Sequence, residues 1–465
     1  MIKESTICAI STPSGLGAIA LVRVSGVEAL AVCNHIFHPA NKAESILNQP
    51  HATVRFGTIV EATGAVVDEV LVSVFRAPHS FTGDDLVEIS CHASQYIQQR
   101  ILQLLLDNGC TMATAGEFTQ RAFLNGKMDL LQAEAVADVI ASTSAASHRL
   151  AVNQMRGGFS SELTALRAQL LDFTSLVELE LDFSEEEVEF ANREQLKELA
   201  EKIERMISRL VDSFSVGNAI KTGIPVAIVG KTNVGKSTLL NVLLHEERAI
   251  VSDVHGTTRD VIEDTIVLGG LTFRFIDTAG IRQTLDKVES LGIEKTFQKI
   301  QQASIVLLLI DSTEGITEIK RFITEQLPYS EGKKLIVVYN KADLITAAQK
   351  TGLEAIALPP DVVPVFISAK QKLEIDRLQQ LLLEAAQVPA ISANDVIVTN
   401  ARHYEALQKA LTAIKRVGEG LQQNISGDFL SQDIRECLHY LGEITGQIST
   451  DEVLGNIFSK FCIGK

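Results

Sequence analysis

The run Gly230-Lys231-Thr232-Asn233-Val234-Gly235-Lys236-Ser237 has the spacing G-x-x-x-x-G-K-[ST]. Its flanks suit that motif. Apolar Val226–Val229 precedes it as a strand would, and Leu239, Leu240, Val242 and Leu243 follow at helical spacing. A glycine-containing loop lets successive backbone N–H groups turn toward one phosphate. The helix that follows presents the partial positive charge of its N-terminus. Lys236 then neutralises β- and γ-phosphate oxygens, and the Ser237 hydroxyl is a ligand for Mg²⁺. Asn233, Val234, Gly235 and Thr238 complete the expected contacts, so the loop reads as a nucleoside triphosphate site.

A second motif reads the base. Asn340-Lys341-Ala342-Asp343 follows the apolar run Leu335–Tyr339. A carboxylate at Asp343 accepts two hydrogen bonds, from the N1–H and the 2-amino group of guanine. Adenine offers neither donor, so with ATP that carboxylate would be desolvated without a partner. Ser368-Ala369-Lys370 follows the next strand-like run and lines the base from its other side. This combination selects GTP.

Two further segments belong to the same chemistry. Asp277-Thr278-Ala279-Gly280 ends a strand-like run and supplies an Asp behind the Mg²⁺ and a glycine N–H for the γ-phosphate. Gly256-Thr257-Thr258-Arg259-Asp260 falls where a switch loop folds over Mg²⁺, and both segments should order with triphosphate. Many small GTPases place a Gln after the first of these segments to hold the attacking water. Here the residue is Ile281, which cannot hydrogen-bond water. Glu289 is a candidate for that task, with a solvated switch acid as the competing reading. Arg259 reads equally as a cis arginine finger or as a structural partner.

These motifs need elements to hold them. The chain has 465 residues, 46% hydrophobic and 22% charged, an ordinary globular composition of about three domains. Lys and Arg number 42 against 58 Asp and Glu, for a net charge of −16. That balance excludes a stand-alone polyanion binder and leaves nucleic acid to a local patch or a basic partner. The six cysteines include no C-x-x-C pair and no tight Cys/His group, which excludes a zinc module and points to reduced thiols in the cytosol. The longest clean apolar run, Ile305–Ile310, has strand length, and the N-terminus carries no secretion pattern. A cytoplasmic location without a membrane span is expected.

Strand-like Ala18–Val22 and Val70–Val74, with a helix over Tyr96–Leu106, mark residues 1–120 as mixed α+β. Residues 121–218 read as helical, beginning with Asp129 as a cap and Gln132 three residues on. Glu178 to Glu189 holds seven acids and no base, the pattern of a solvated helix end and loop. Over 219–384 the strands Val226–Val229, Ile266–Leu268, Phe273–Ile276, Ile305–Ile310, Leu335–Tyr339 and Val365–Ile367 alternate with helices. That pattern gives a mostly parallel, doubly covered sheet, with a hairpin at Gly269-Gly270 making one strand antiparallel. Residues 385–465 are helical again, so the α/β unit is expected to be inserted into one discontinuous helical domain.

With these motifs placed, the chain resembles the bacterial tRNA-modification GTPases of the MnmE (TrmE) family over nearly its whole length. Beyond the nucleotide motifs, the resemblance rests on Ser80-Phe81-Thr82-Gly83-Asp84-Asp85, on Gly116-Glu117-Phe118-Thr119-Gln120-Arg121-Ala122-Phe123-Leu124-Asn125-Gly126-Lys127, and on the ending Cys462-Ile463-Gly464-Lys465. Asp84 stands where the block often has Glu, and Gln283 at a commonly acidic position. The resemblance implies an N-terminal domain that binds folate and forms a homodimer, a discontinuous helical domain, and an inserted Ras-like P-loop GTPase domain whose pairing across the dimer activates hydrolysis. It implies K⁺ in place of an arginine finger, held by Asn233 and by the carbonyls of Ser252, Val254 and Thr257. Asp253, His255 and Gly256 share that loop. It implies Thr258 as the second Mg²⁺ ligand and Glu289 as the catalytic glutamate. Arg23, Glu88, Lys127 and Lys465 match the family's folate positions, for 5,10-methylene- or 5-formyl-tetrahydrofolate, and Cys462 is a thiol in its terminal motif.

The implied reaction places a carboxymethylaminomethyl or aminomethyl group on C5 of the wobble uridine, position 34, of certain tRNAs. An FAD-containing partner shares the work and carries most of the tRNA-binding charge. Two readings compete: a ribosome-assembly GTPase switch, and a folate-dependent one-carbon transferase in which GTP hydrolysis is only regulatory.

Overall fold

The structure, a computed structural model, describes residues 5–13, 15, 17–182, 193–246, 264–276, 300–388, 395–423, 425–448, 451–459 and 461–464. The chain forms two compact units, one of Met1–Ile140, Val152–Glu204 and Lys409–Lys465, the other of Ala141–Ala151 and Arg205–Gln408.

In the first unit, strands β1 (Ile7–Ile10), β2 (Ile19–Ser25), β3 (Phe37–Pro39), β4 (Thr53–Val60), β5 (Val66–Phe75), β6 (Leu86–His92) and β7 (Thr111–Met112) make one sheet in the order β3-β4-β5-β6-β2-β1-β7. Neighbours are antiparallel except β1 and β7. Alternation along the strands explains the packing. Ala20, Val22 and Val24 of β2 and Val70, Val72 and Val74 of β5 are buried in a core shared with the helices Ala29–Ile36 and Gln95–Asp107. The same alternation leaves Arg23 and Glu88 on the opposite face, and the β2–β6 register sets them directly opposite each other.

The helical part of this unit starts as the sequence predicts. Asp129 Oδ1 accepts from the Gln132 N–H at 2.9 Å, and Gln132 Oε1 accepts from the Asp129 N–H at 3.0 Å, a complete capping box for the helix Leu130–Ala141. The long helices Gly158–Asp182 and Gly427–Thr445 pack together, and Arg167 donates across them to the Leu438 carbonyl at 2.8 Å.

The second unit holds β8 (Ile224–Val229), β9 (Asp264–Leu268), β10 (Leu271–Phe275), β11 (Ile305–Asp311), β12 (Lys334–Asn340) and β13 (Val363–Phe366) in the order β13-β12-β11-β8-β10-β9. Among the described strands only the β9–β10 pair is antiparallel, turned by Gly269 and Gly270 at φ +54° and +80°. The unbroken apolar runs have a simple cause. Val226 and Leu307 face one core while Ala227 and Leu308 face the other, so both sheet faces are covered. The chain segments entering and leaving this α/β region meet: Val398 N–H donates to Ser213 Oγ at 3.0 Å, and a Cβ on Gly217 would lie 2.1 Å from the Val398 carbonyl oxygen. The protein is therefore multidomain, with an α+β N-terminal domain, an all-α part and a P-loop-type α/β part.

Candidate functional site

Strand β8 delivers the chain to Gly230, and the helix Lys236–Glu246 leaves it. Between them, Asn233 and Gly235 adopt φ of +62° and +100°. Gly235 is required for two reasons. Its φ disfavours any side chain, and a Cβ there would lie 2.4 Å from Asn340 Nδ2. The Lys236 ammonium folds over the loop and donates to the carbonyls of Gly230 at 2.7 Å and Lys231 at 2.6 Å. Ser237 and Thr238 occupy the first helical turn, and Asn233 is exposed on the loop.

Asn340 ties the site together. It is 3% exposed, donates through Nδ2 to the Val234 carbonyl at 2.8 Å, and accepts at Oδ1 from the Ala369 N–H at 3.0 Å. One amide thus fixes the phosphate loop to the Ser368–Lys370 loop. Its own carbonyl accepts from the N–H and hydroxyl of Ser312, at 2.9 and 2.6 Å. Lys341, at φ +63°, pairs its ammonium with Asp311. Burial alone would raise the Asp311 carboxyl, but hydrogen bonds from Lys341 and Thr313 outweigh it and hold it below its ordinary value. Ala342 donates its N–H to the Ile367 carbonyl, and Asp343 is exposed in the turn Ala342–Leu344. Ser368 is buried and accepts at Oγ from the Gln371 N–H, and Lys370 is exposed. The phosphate loop, Asn340–Asp343 and Ser368–Lys370 all follow the carboxyl ends of parallel strands, where open α/β sheets bind ligands. Ser252, Asp253, Val254, His255, Gly256, Thr257, Thr258, Arg259, Asp277, Thr278, Ala279, Gly280, Ile281, Gln283 and Glu289 lie outside the described residues.

A second cluster occupies the N-terminal unit. Arg23 donates from Nε and Nη2 to Glu88 Oε1 at 3.0 and 2.7 Å, and both side chains are about one-fifth exposed. The guanidinium lies 5.7 Å from the Phe81 ring centroid and 5.6 Å from that of Phe118. Its Nη1 is 3.5 Å from the Gly464 carbonyl, which also accepts from the Ser11 hydroxyl at 2.9 Å. A Cβ on Gly464 would lie 2.4 Å from the Ile10 carbonyl oxygen, so only glycine fits there. Ile463 bridges to Ala115, and the exposed Cys462 accepts at its carbonyl from the Gly116 N–H. Lys127 donates to the Pro78 carbonyl at 2.9 Å. Asn125 donates to the Thr82 carbonyl at 2.8 Å and to Asp84 at 3.1 Å, holding the Phe81 loop. Lys465 is outside the described residues. The sequence singled out Arg23 and Glu88 but not Phe81, Phe118 or Gly464 as their neighbours. The signal lay in the three blocks to which those residues belong.

The α/β unit with these loops is that of a P-loop GTPase. A family model described as "MnmE helical domain" matches residues 130–462, and one described as "GTP-binding protein TrmE N-terminus" matches residues 6–127. The tRNA modification GTPase MnmE of Bacteroides thetaiotaomicron is 61% identical over 466 residues, covering 100% of both chains. Its namesake from Flavobacterium johnsoniae is 54% identical over 472 residues, again covering 100% of both. An Aquifex aeolicus Era variant is 29% identical with a TM-score of 0.26, covering 41% of this chain and 66% of that one. The chain belongs to the MnmE family of tRNA modification GTPases. It is accordingly a GTP-binding, GTP-hydrolysing protein of tRNA modification. Among the described residues, no helix is long and apolar enough to cross a membrane.

Proposed function

We propose that this chain couples GTP hydrolysis to folate-dependent modification of the wobble uridine of tRNA. The observation that carries the reading is the Arg23–Glu88 pair with Gly464 against it. The donor set suits a pterin. A carboxylate at Glu88 accepts from an amino-pyrimidine edge, and the Phe81 and Phe118 rings beside Arg23 suit a flat heterocycle. Lys127 and Lys465 are the cations for the glutamate tail. Bound folate, as 5,10-methylene- or 5-formyl-tetrahydrofolate, supplies the one-carbon unit for C5 of uridine 34. An FAD-containing partner completes that chemistry and brings most of the positive charge that holds the tRNA, which this chain, at −16, lacks.

On the GTP side, Asp343 reads guanine, with Asn340, Lys341, Ala342, Ser368, Ala369 and Lys370 around the base. Ser237 and Thr258 would hold Mg²⁺, with Asp277 behind it. Asn233 and the carbonyls of Ser252, Val254 and Thr257 would hold K⁺. Oxygen donors suit both ions, and the exposure of Asn233 supports its part. Glu289 orients the attacking water, the work Ile281 cannot do. Residues 1–120 are the folate and dimer domain, 121–218 and 385–465 the two helical parts, and 219–384 the inserted GTPase domain of a cytoplasmic homodimer.

Two variants test the two sites separately. Glu88→Gln keeps the shape of the pair but removes its charge. Tetrahydrofolate affinity, by calorimetry, is expected to fall about tenfold while GTP turnover stays unchanged; undiminished folate affinity would remove the folate site. Asp343→Asn presents an amide where guanine needs two acceptors. Preference is expected to move from GTP toward xanthosine triphosphate by at least about tenfold, and retained GTP selectivity would contradict the base-reading role. Modified-nucleoside analysis of tRNA from a strain lacking the gene should show unmodified uridine at position 34; normal modification there would overturn the reading.

A further inference from the structure

Asp311 lies outside every nucleotide motif. It is the last residue of β11, paired in register with Asn340 at the end of β12. Both carboxylate oxygens are engaged. Oδ1 accepts from the Thr313 N–H at 3.0 Å and the Thr313 hydroxyl at 2.7 Å, while Oδ2 faces the Lys341 ammonium. The side chain is 14% exposed. The neighbouring Ser312 donates twice to the Asn340 carbonyl. The turn 311–313 thus grips both leading residues of the base-reading motif, one by its carbonyl and the other by its ammonium.

A lysine at a φ of +63° has a backbone conformation that side chains disfavour. Its four-carbon stem is flexible and would sample many rotamers. An ionic hydrogen bond at the far end fixes the whole stem, and ionic bonds are about twice as strong as neutral ones. We propose that Asp311 is a positioning residue for guanine nucleotide recognition, acting through Lys341 by holding its stem extended beside the base. The proposal rests on the reading of Asn340–Asp343 as the guanine site.

The test uses the full chain, with GDP affinity by fluorescent-analogue displacement and GTP turnover under saturating Mg²⁺ and K⁺. Asp311→Asn is expected to weaken GDP binding and raise the GTP KM about tenfold each, with kcat within about twofold of the parent. Combined with Lys341→Met, Asp311→Asn should add less than about twofold to the loss from Lys341→Met alone, because the two act as one unit. Asp311→Glu, which retains the charge, should recover part of the affinity. Additive losses in the double variant would make Asp311 a support of the turn only and overturn the proposal. So would an unchanged KM in a folded Asp311→Asn. Asp343→Asn is run alongside. If it fails to move selectivity toward xanthosine nucleotides, the base-site reading is at fault; if it moves selectivity while Asp311→Asn is silent, only the positioning role is lost.

Discussion

In Na⁺ at equal ionic strength, GTP turnover by the full chain is expected to run on the order of 10³-fold slower than in K⁺. Phosphoryl transfer spreads negative charge over the γ-phosphate oxygens and the leaving group, and the enzyme must supply positive charge there. Among the described residues, few cations are placed to do so. Lys231 already faces Glu314, and Lys341 already faces Asp311, so neither adds net charge at the phosphates. Lys236 reaches into the loop, but one lysine and Mg²⁺ are the common minimum of slow, unassisted GTPases. On the proposed reading, a monovalent cation held by Asn233 and the carbonyls of Ser252, Val254 and Thr257 would fill the gap. Selection of K⁺ over Na⁺ follows from the number and spacing of oxygen donors that replace its hydration shell. Initial rates in matched chloride salts check this, with Asn233→Ala as the companion. That variant should turn over slowly in both salts. Equal parent rates in K⁺ and Na⁺ would remove the cation from the mechanism.

Asn340→Ala should lower GDP affinity about 100-fold. The substitution leaves two buried groups without partners, the Val234 carbonyl and the Ala369 N–H. Each unsatisfied group costs about 1–3 kcal/mol. Part of that cost appears as stability, a fall in Tm of several degrees. The rest appears in binding, because the phosphate loop and the base loop are no longer held in one frame and the nucleotide must order them itself. Calorimetric GDP affinity and a thermal melt separate the shares. Full affinity in a folded variant would show that the loops hold their places without this amide.

Much of this was legible because it is local. Unbroken apolar runs such as Ile305–Ile310 can be satisfied only by a strand covered on both faces. Asp129 with Gln132 announces a helix start, and Gly269-Gly270 announces a hairpin. The phosphate loop is legible because its backbone conformation restricts the residue types it accepts. The rest depends on register and on contacts between residues far apart in the chain. Nothing in the neighbourhood of Arg23 says that Glu88 will stand opposite it, since that follows from how β2 and β6 align. Gly464 stands out in the sequence only as part of the terminal block; that no side chain fits there follows from the Ile10 carbonyl against it. The role of Asp311 is hidden in the sequence for the same reason. At the end of an apolar run it looks like a solvated strand terminus, and its partner arrives on another strand.

The Ser213–Val398 hydrogen bond joins residues 185 positions apart in sequence. To the helical chain on either side, everything between them is a side loop drawn shut at a narrow neck. In chain statistics the entropy of closing such a loop rises only logarithmically, by about 0.6 kcal/mol for each doubling of its length. The helical scaffold is therefore nearly indifferent to how large the inserted unit is. Insertions in surface loops of the GTPase region are expected to be tolerated, whereas a side chain at Gly217, where a Cβ would lie 2.1 Å from the Val398 carbonyl oxygen, is not.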